Sequence, residues 1–421
     1  MKIIVIGAGL IGVSTAYFLR CQGHEVTLID RQEGPGRETS FANGALLHPS
    51  MCEPWNSPGC WRVLLASLCR SDAALQIRWT TLPGLVGWGA QFLRNSNSVR
   101  FGRNALSNLH LASYSVKVMC ALREQIDIQY GRVARGSLRI FRDPMALDSA
   151  VTTARGQHSA AGLSFRQLSS EEAIELEPAL APIAGELVGA VHYEGDEIGD
   201  AFRFCVGLAN HARDRGVDFR FGTEICALEV CAGRVTAALS RRRRFVADRY
   251  IVAAGSFSAP LLHHVGVDLP IQPAKGYSIT VKTPQASPSL SIPLLDDQLH
   301  VGICPLQGAI RVAGTAEFAG YNRELRTDRI RNLLNLLKRV LPNASVDTAD
   351  CQPWCGLRPM SVDGVPIIGP TPISNLLVNT GHGPLGWTMA AGSGQLMADI
   401  LSGASCAIDP SPYAPSRFGR R

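Results

Sequence analysis

The chain opens with an apolar run, Lys2 to Ile6, that stops at Gly7 and gives way to apolar positions at helical spacing over residues 11–21. Gly23 ends that stretch, and HEVTLID follows as a second apolar strand closing on Asp30. The pattern predicts a strand, a helix and a strand in immediate succession. Farther along, GDAFRFCVGLANHARDRG is an amphipathic helix with Asp200 near its start. VDFRFGTEICALEV and RVTAALS read as strands, and RYIVAAGS is an apolar strand that ends near Gly255. Strand-like alternation recurs in GSLRIFR, KGYSITV and AIRVAGTAEF. TDRIRNLLNLLKRVLP is an amphipathic helix stopped at Pro342, and NLLVNT precedes a helix from Trp387 to Leu401. No internal repeat is visible. The predicted class is α/β, with a Rossmann-type parallel sheet flanked by helices and a second, mainly antiparallel sheet.

Two stretches share the spacing G-x-G-x-x-G: Gly7 to Gly12 and Gly381 to Gly386. In the first, Gly7 makes the tight turn, Gly9 lets the backbone approach a pyrophosphate, and Gly12 lets the helix pack on the strand. The helix N-terminus offers free N–H groups to the diphosphate, and Asp30 stands where an acid binds ribose hydroxyls. The second stretch lacks this context, because after its helix no further strand with a terminal acid follows. Its glycine-rich backbone still enters a helix whose N–H groups stabilise negative charge on a ligand held by the first turn. One long dinucleotide touching both turns is expected, rather than two; the alternative is a tight turn with packing glycines.

Composition narrows the classes. A chain of 421 residues suggests two domains or one with large insertions, and 46% hydrophobic with 18% charged residues fits a core-forming protein. The net charge of +6 favours anionic substrates or surfaces only weakly. No aromatic and basic interleaving suggests a nucleic-acid platform. Neither a signal peptide nor an apolar run of about 18 residues is present. The 12 cysteines lack C-x-x-C pairs and are expected to be reduced thiols of a cytosolic protein, with no metal site. The charge run RRRRF, Arg241 to Phe245, reads as a solvated hairpin turn.

Five stretches together resemble one family: GAGLIGVSTAYFLRCQGHEVTLIDR, ETSFANGALLHPS, PAKGYSITV, WCGLRPMSVDGVPIIG and NTGHGPLGWTMAAGSGQL. They are similar to the bacterial D-amino acid dehydrogenases, within the wider family of D-amino acid oxidase, glycine oxidase and sarcosine oxidase. The resemblance runs from Met1 to about Ser402. It implies FAD as the cofactor and two domains assembled from discontinuous segments. Residues 1–50, 190–270 and 350–421 are assigned to the FAD-binding domain; 51–189 and 271–349 form the substrate domain. Along the cofactor the resemblance places Gly7, Gly9, Leu10, Ile11 and Gly12, then Asp30 and Arg31. It adds Thr39, Ser40, Asn43, Gly44 and Ala45 against the ribityl chain and ring, and Ile225, Ala254 and Gly255 on the returning strands. Gly356 and Arg358 follow, with Gly381, His382, Gly383, Leu385, Gly386, Trp387 and Thr388 around the second turn.

Oxidation of an amino acid requires its carboxylate to be fixed so that Cα–H points at the flavin. Arginine suits this because its fork binds a carboxylate bidentately. Arg358 is the first choice and matches the family position for the substrate carboxylate, with a pair to nearby Asp363 as the alternative. Tyr277 and Lys275 share one face of a strand and are further candidates, against a core tyrosine and a surface lysine. His48 sits where it reaches the substrate mouth or accepts a proton, against a structural histidine. For His382 the backbone is expected to matter more than the ring.

Trp61, Trp79 and Trp88 lie in an insert, Trp61 to Asn95, that interleaves tryptophan with Leu, Val and Arg. Such composition suits a helix at a lipid interface, or a helical cover over the substrate domain. The resemblance favours the first, since it implies electrons passed to a quinone-type membrane acceptor. The expected partners are a D-amino or cyclic imino acid, that acceptor, and an oligomer or partner subunit; the expected location is cytoplasmic, with peripheral contact on the inner membrane face. An oxidase, a dehydrogenase acting on D-proline or hydroxyproline, a glycine or sarcosine enzyme, and a non-catalytic flavin subunit remain open alternatives.

Overall fold

In the computed structural model, residues 1–62, 74–283, 290–344 and 347–419 are described. The expected opening is present: Lys2–Ile6 is a strand, Leu10–Cys21 a helix and Glu25–Ile29 a strand paired parallel with the first. They sit in a six-stranded sheet ordered Ile367–Pro370, Leu376–Thr380, Arg249–Val252, Lys2–Ile6, Glu25–Ile29, Asp218–Arg220. Every pairing is parallel except that of the edge strand Ile367–Pro370. The central strand Lys2–Ile6 is covered on both faces, which explains why it reads as an unbroken apolar run rather than an alternation.

The helix after the second glycine turn, Gly386–Ser402, is buried between the helix Leu10–Cys21 and the long helix Ser98–Gln125. Two of its glycines make this close crossing feasible. A Cβ on Gly394 would lie 2.7 Å from the Ser14 backbone, and one on Gly392 would lie 2.7 Å from Cα of Ser115. The helix therefore packs beside the first Rossmann helix instead of opening a second dinucleotide unit.

The nine-stranded second sheet is mostly antiparallel. At one side run Asp347–Ser361, Ile271–Lys282, Ala309–Phe318 and Val301–Leu306; Leu294–Asp296, Ser137–Phe141, Gly189–Tyr193 and Arg166–Leu168 complete the path, and Leu75–Ile77 pairs beside Ala309–Phe318. The amphipathic helix Thr327–Val340 turns Leu333, Leu337 and Val340 into the core on one face of this sheet. The expected boundaries at 190 and 350 both fall inside strands of this sheet, because Gly189–Tyr193 and Asp347–Ser361 pair within it. Arg241 to Arg243 form the exposed turn of a small hairpin between Arg234–Ser240 and Arg244–Phe245.

The insert divides. Residues 63–73 of it lie outside the described residues. The helix Leu82–Arg94 buries Trp88 against Phe92 and Phe318, and the Trp88 indole donates to the Pro270 carbonyl at 3.1 Å. Trp88 is thus part of a packed cover, whereas Trp79 is 70% exposed. Among the described residues no helix is long and apolar enough to cross a membrane.

Candidate functional site

A cavity of about 620 Å³ draws its lining from both sheets and both glycine turns. On the Rossmann side Gly7 adopts φ +111°, and a Cβ there would meet the Ala253 carbonyl at 2.5 Å. No side chain caps the Gly9 N-terminus of the helix, though Ser40 Oγ accepts the Leu10 N–H at 3.1 Å. The Asp30 carboxylate accepts backbone N–H groups from Ala8 at 2.5 Å and Gln32 at 2.7 Å. It thereby braces the glycine turn while itself lining the cavity, and burial raises its pKa despite those bonds. Arg31 pairs with Glu38 at 2.7 Å and lies 3.8 Å over the Phe257 ring.

The opposite wall is a cross-strand row of the second sheet. Trp354, Ser278, Ala313, Gly302 and Leu295 are successive partners in register, and all of them line the cavity. Three small residues in the middle of this row leave a flat, shallow floor. Gly276 and Gly356, paired in the adjoining row, keep it open toward Arg358. A Cβ on Gly276 would be 2.3 Å from the Arg358 guanidinium carbon, so the guanidinium lies directly over a position only glycine can occupy.

Arg358 faces the cavity, with the Trp55 ring 5.6 Å from its guanidinium carbon. Asp363 is engaged elsewhere, by Arg417 at 2.8 Å. Among the described residues no carboxylate pairs with Arg358. Burial without a counter-ion depresses its pKa to about 10, which still leaves it charged near neutrality. Its charge, half-buried and without a counter-ion, faces the cavity.

Lys275 and Tyr277 do share a face, as alternation requires, but it is the face opposite Gly276 and Ser278. Tyr277 packs in the core under the helix Thr327–Val340 and donates to Glu317 Oε2 at 2.7 Å. Lys275, fully buried and not part of the cavity lining, donates to Asn322 Oδ1 at 3.1 Å and the Glu324 carbonyl at 2.6 Å. Glu317 is also held by Arg78 at 2.5 Å and Arg326 at 3.3 Å, and these bonds hold its carboxyl down at about 2. The pair therefore belongs to a buried ionic network, and only the backbone side of Tyr277 is left for the cavity wall. Which face meets the cavity is decided by pairing with Asp347–Ser361 and Ala309–Phe318 and is invisible in the alternation itself.

His48 and His382 line the cavity. Burial pushes His48 down to about 4 and His382 to about 3, so both rings are neutral near neutral pH. His382 Nε2 meets Ser393 Oγ at 2.9 Å. Around the second turn Gly383, Gly386 and Trp387 reach the cavity. Gly381, Leu385 and Thr388 stand behind it: Gly381 supplies φ +77°, Leu385 is core, and Thr388 Oγ1 accepts the His48 N–H at 3.2 Å. Gly12 is likewise a packing residue. The lining also includes Ile11, Thr39, Asn43, Gly44, Ala45, Ile225, Ala254 and Gly255. Sequence reasoning missed Ser278, Ala313, Gly302 and Trp354; the first three share only small size, and Trp354 reads as an ordinary strand aromatic.

The family model described as FAD dependent oxidoreductase matches residues 2–400. The chain belongs to that family. A protein from Sinorhizobium medicae named D-amino acid dehydrogenase is 41% identical over 419 residues, covering 100% of both chains. Another of that name from Allorhizobium ampelinum is 40% identical over 418 residues, covering 99% of each. Among solved structures, L-proline dehydrogenase from P. horikoshii superposes with a TM-score of 0.79 at 16% identity, covering 100% of this chain and 98% of that one. Glycine oxidase from Bacillus cereus gives 0.72 at 22% identity, covering 96% and 95%. This FAD-dependent oxidoreductase has the cavity its cofactor requires. The Gly7–Gly9 turn leaves room for a pyrophosphate, and the Ser278–Ala313–Gly302 floor suits a flat ring.

Proposed function

We propose that the protein is a D-amino acid dehydrogenase that converts its substrate to a 2-oxo acid and ammonia. The observation that carries this reading is Arg358, a charged fork with no protein carboxylate, facing the cavity beside the flat floor. The names of the full-length relatives support it. Arg358 binds the substrate carboxylate and fixes Cα relative to that floor. The rings of His48 and His382 are uncharged near neutral pH, so they do not repel the substrate ammonium as it enters, and the ammonium proton leaves to water rather than to these weakly basic rings. Bound FAD would supply the two-electron acceptor for the Cα hydrogen that Arg358 orients toward the floor. Water then hydrolyses the resulting imine. The decisive experiment is anaerobic mixing of the yellow protein with D-amino acids, their L-enantiomers, cyclic imino acids, glycine and sarcosine. Bleaching by D-amino acids ahead of the rest is expected. Bleaching only by a cyclic imino acid or by glycine would replace this substrate, and no bleaching by any would leave a non-catalytic flavin subunit.

The electron acceptor in this reading is a quinone at a membrane surface, reached by peripheral contact. Trp79, Val86 and Val99 are 70%, 69% and 83% exposed, with Arg94 and Arg103 exposed nearby in sequence. Apolar side chains flanked by arginine fit an anionic lipid interface. Trp79→Ser with Val86→Ser should reduce co-sedimentation with anionic vesicles, while Trp88→Ser should destabilise the fold instead. Fast reoxidation by oxygen with hydrogen peroxide released, and none by a soluble quinone, would make the protein an oxidase.

A further inference from the structure

Beside the cavity floor, two residues along the strand from Ala313 and on the same face, stands the buried Arg311. Its row is Thr280, Arg311 and Cys304, paired across three strands next to the Ser278–Ala313–Gly302 floor. Three side chains of these two rows hold consecutive carbonyls of the cavity-lining segment Ala42–Gly44. Ser278 Oγ donates to the Ala42 carbonyl at 2.6 Å, Arg311 reaches the Asn43 carbonyl at 3.5 Å, and Cys304 Sγ donates to the Gly44 carbonyl at 3.1 Å. In a trans peptide the next N–H points the opposite way. The N–H groups of Asn43 and Gly44 therefore turn away from these partners, and among the described residues neither has a protein acceptor. That of Ala45 closes onto Asn43 Oδ1 at 3.0 Å.

The charge on Arg311 is weakly compensated. Its Nε donates to the neutral Thr280 hydroxyl at 3.0 Å, and its carboxylate neighbour, Asp200, is 4.0 Å away. Asp200 spends its other oxygen capping the helix Ala201–Asp214 through the Arg203 N–H at 2.9 Å. A buried cation with so loose a partner projects its field through a low-dielectric wall, where charges interact far more strongly than in water. It stands behind the cavity-lining segment Asn43–Gly44 and beside Ala313.

We propose that Arg311 is a positioning residue for electron acceptance: it aligns the Asn43–Gly44 segment and sets a positive potential there, opposed by Asp200, that stabilises the negative charge gained by the bound flavin on reduction. This rests on the cofactor and on no particular substrate. The test uses the purified holoprotein and equilibrates its flavin with a reference redox dye. Arg311→Gln should shift the oxidised-to-reduced flavin ratio toward oxidised by roughly threefold to tenfold at a fixed dye ratio. Arg311→Lys, which keeps the charge, should recover most of that shift. Asp200→Asn, which retains a good helix cap, should shift the ratio the other way. FAD content should stay at one per chain in each. An unchanged ratio in Arg311→Gln, or equal shifts in the Gln and Lys variants, would overturn the electrostatic role. If Arg311→Gln fails to fold, Asp200→Asn decides: a shift toward reduced flavin supports the proposal and no shift sinks it. Failure of every D-amino acid to bleach the flavin would leave this result untouched, so the two readings fail separately.

Discussion

Arg358→Ala is expected to lower kcat/KM for carboxylate-bearing substrates by an amount corresponding to about 2–5 kcal/mol, roughly thirtyfold to several thousandfold. The magnitude follows from losing a charged, two-pronged partner in a largely buried site. Arg358→Lys should fall between, because a point charge attracts the carboxylate without fixing its plane. Gly276→Ala offers an independent arm that leaves the arginine in place. Its Cβ would stand 2.3 Å from the guanidinium carbon and 2.4 Å from a guanidinium nitrogen, so the fork must move. All three variants should retain FAD, since the pyrophosphate turn lies on the other sheet. Stopped-flow reduction of the flavin at several substrate concentrations separates binding from chemistry. Unchanged reduction kinetics in Arg358→Ala would place the anchor elsewhere in the cavity.

What the amino-acid sequence made legible is mostly what depends on local order. Strand, glycine turn, helix and acid lie next to each other from Lys2 to Asp30, and short-range physics determines that unit. Arg358 stood out through its family motif, and its place on the cavity wall agrees with that position. Lys275 and Tyr277 show the limit. Alternation places them on one face, but which face meets the cavity depends on pairing with Asp347–Ser361 and Ala309–Phe318, strands distant in sequence. Asp30 lines the cavity as its place at the strand end leads one to expect, but its bond to the Ala8 N–H is visible only in the folded turn. The floor residues Ser278, Ala313 and Gly302 carry no chemical signature at all. Their role comes from being small in one row, and a row exists only once three strands are in register. Trp79 and Trp88 had equal standing in the sequence and separate only when the helix Leu82–Arg94 packs.

The glycines of the first turn should separate cofactor loss from fold loss. Gly9 has φ −72° and ψ 179°, extended backbone that any residue adopts. A Cβ there would meet only Ser40 Oγ, at 3.3 Å. Gly9→Val should therefore fold, while its branched side chain occupies the path of the pyrophosphate; the protein should purify colourless. Gly12 is different. Its Cβ would lie 1.8 Å from the Gly7 carbonyl oxygen, so Gly12→Ala must pry the helix Leu10–Cys21 off the turn. Overpacking of this kind costs about 1–3 kcal/mol, and more where backbone meets backbone. Thermal unfolding without added FAD distinguishes the two: Gly9→Val should match wild-type apoprotein, and Gly12→Ala should unfold several degrees lower. Adding FAD should raise the wild-type midpoint by mass action and leave Gly9→Val where it was. A Gly9→Val protein that still carries one FAD per chain would show that the pyrophosphate does not pass over this turn, and the cofactor would have to enter the cavity by another wall.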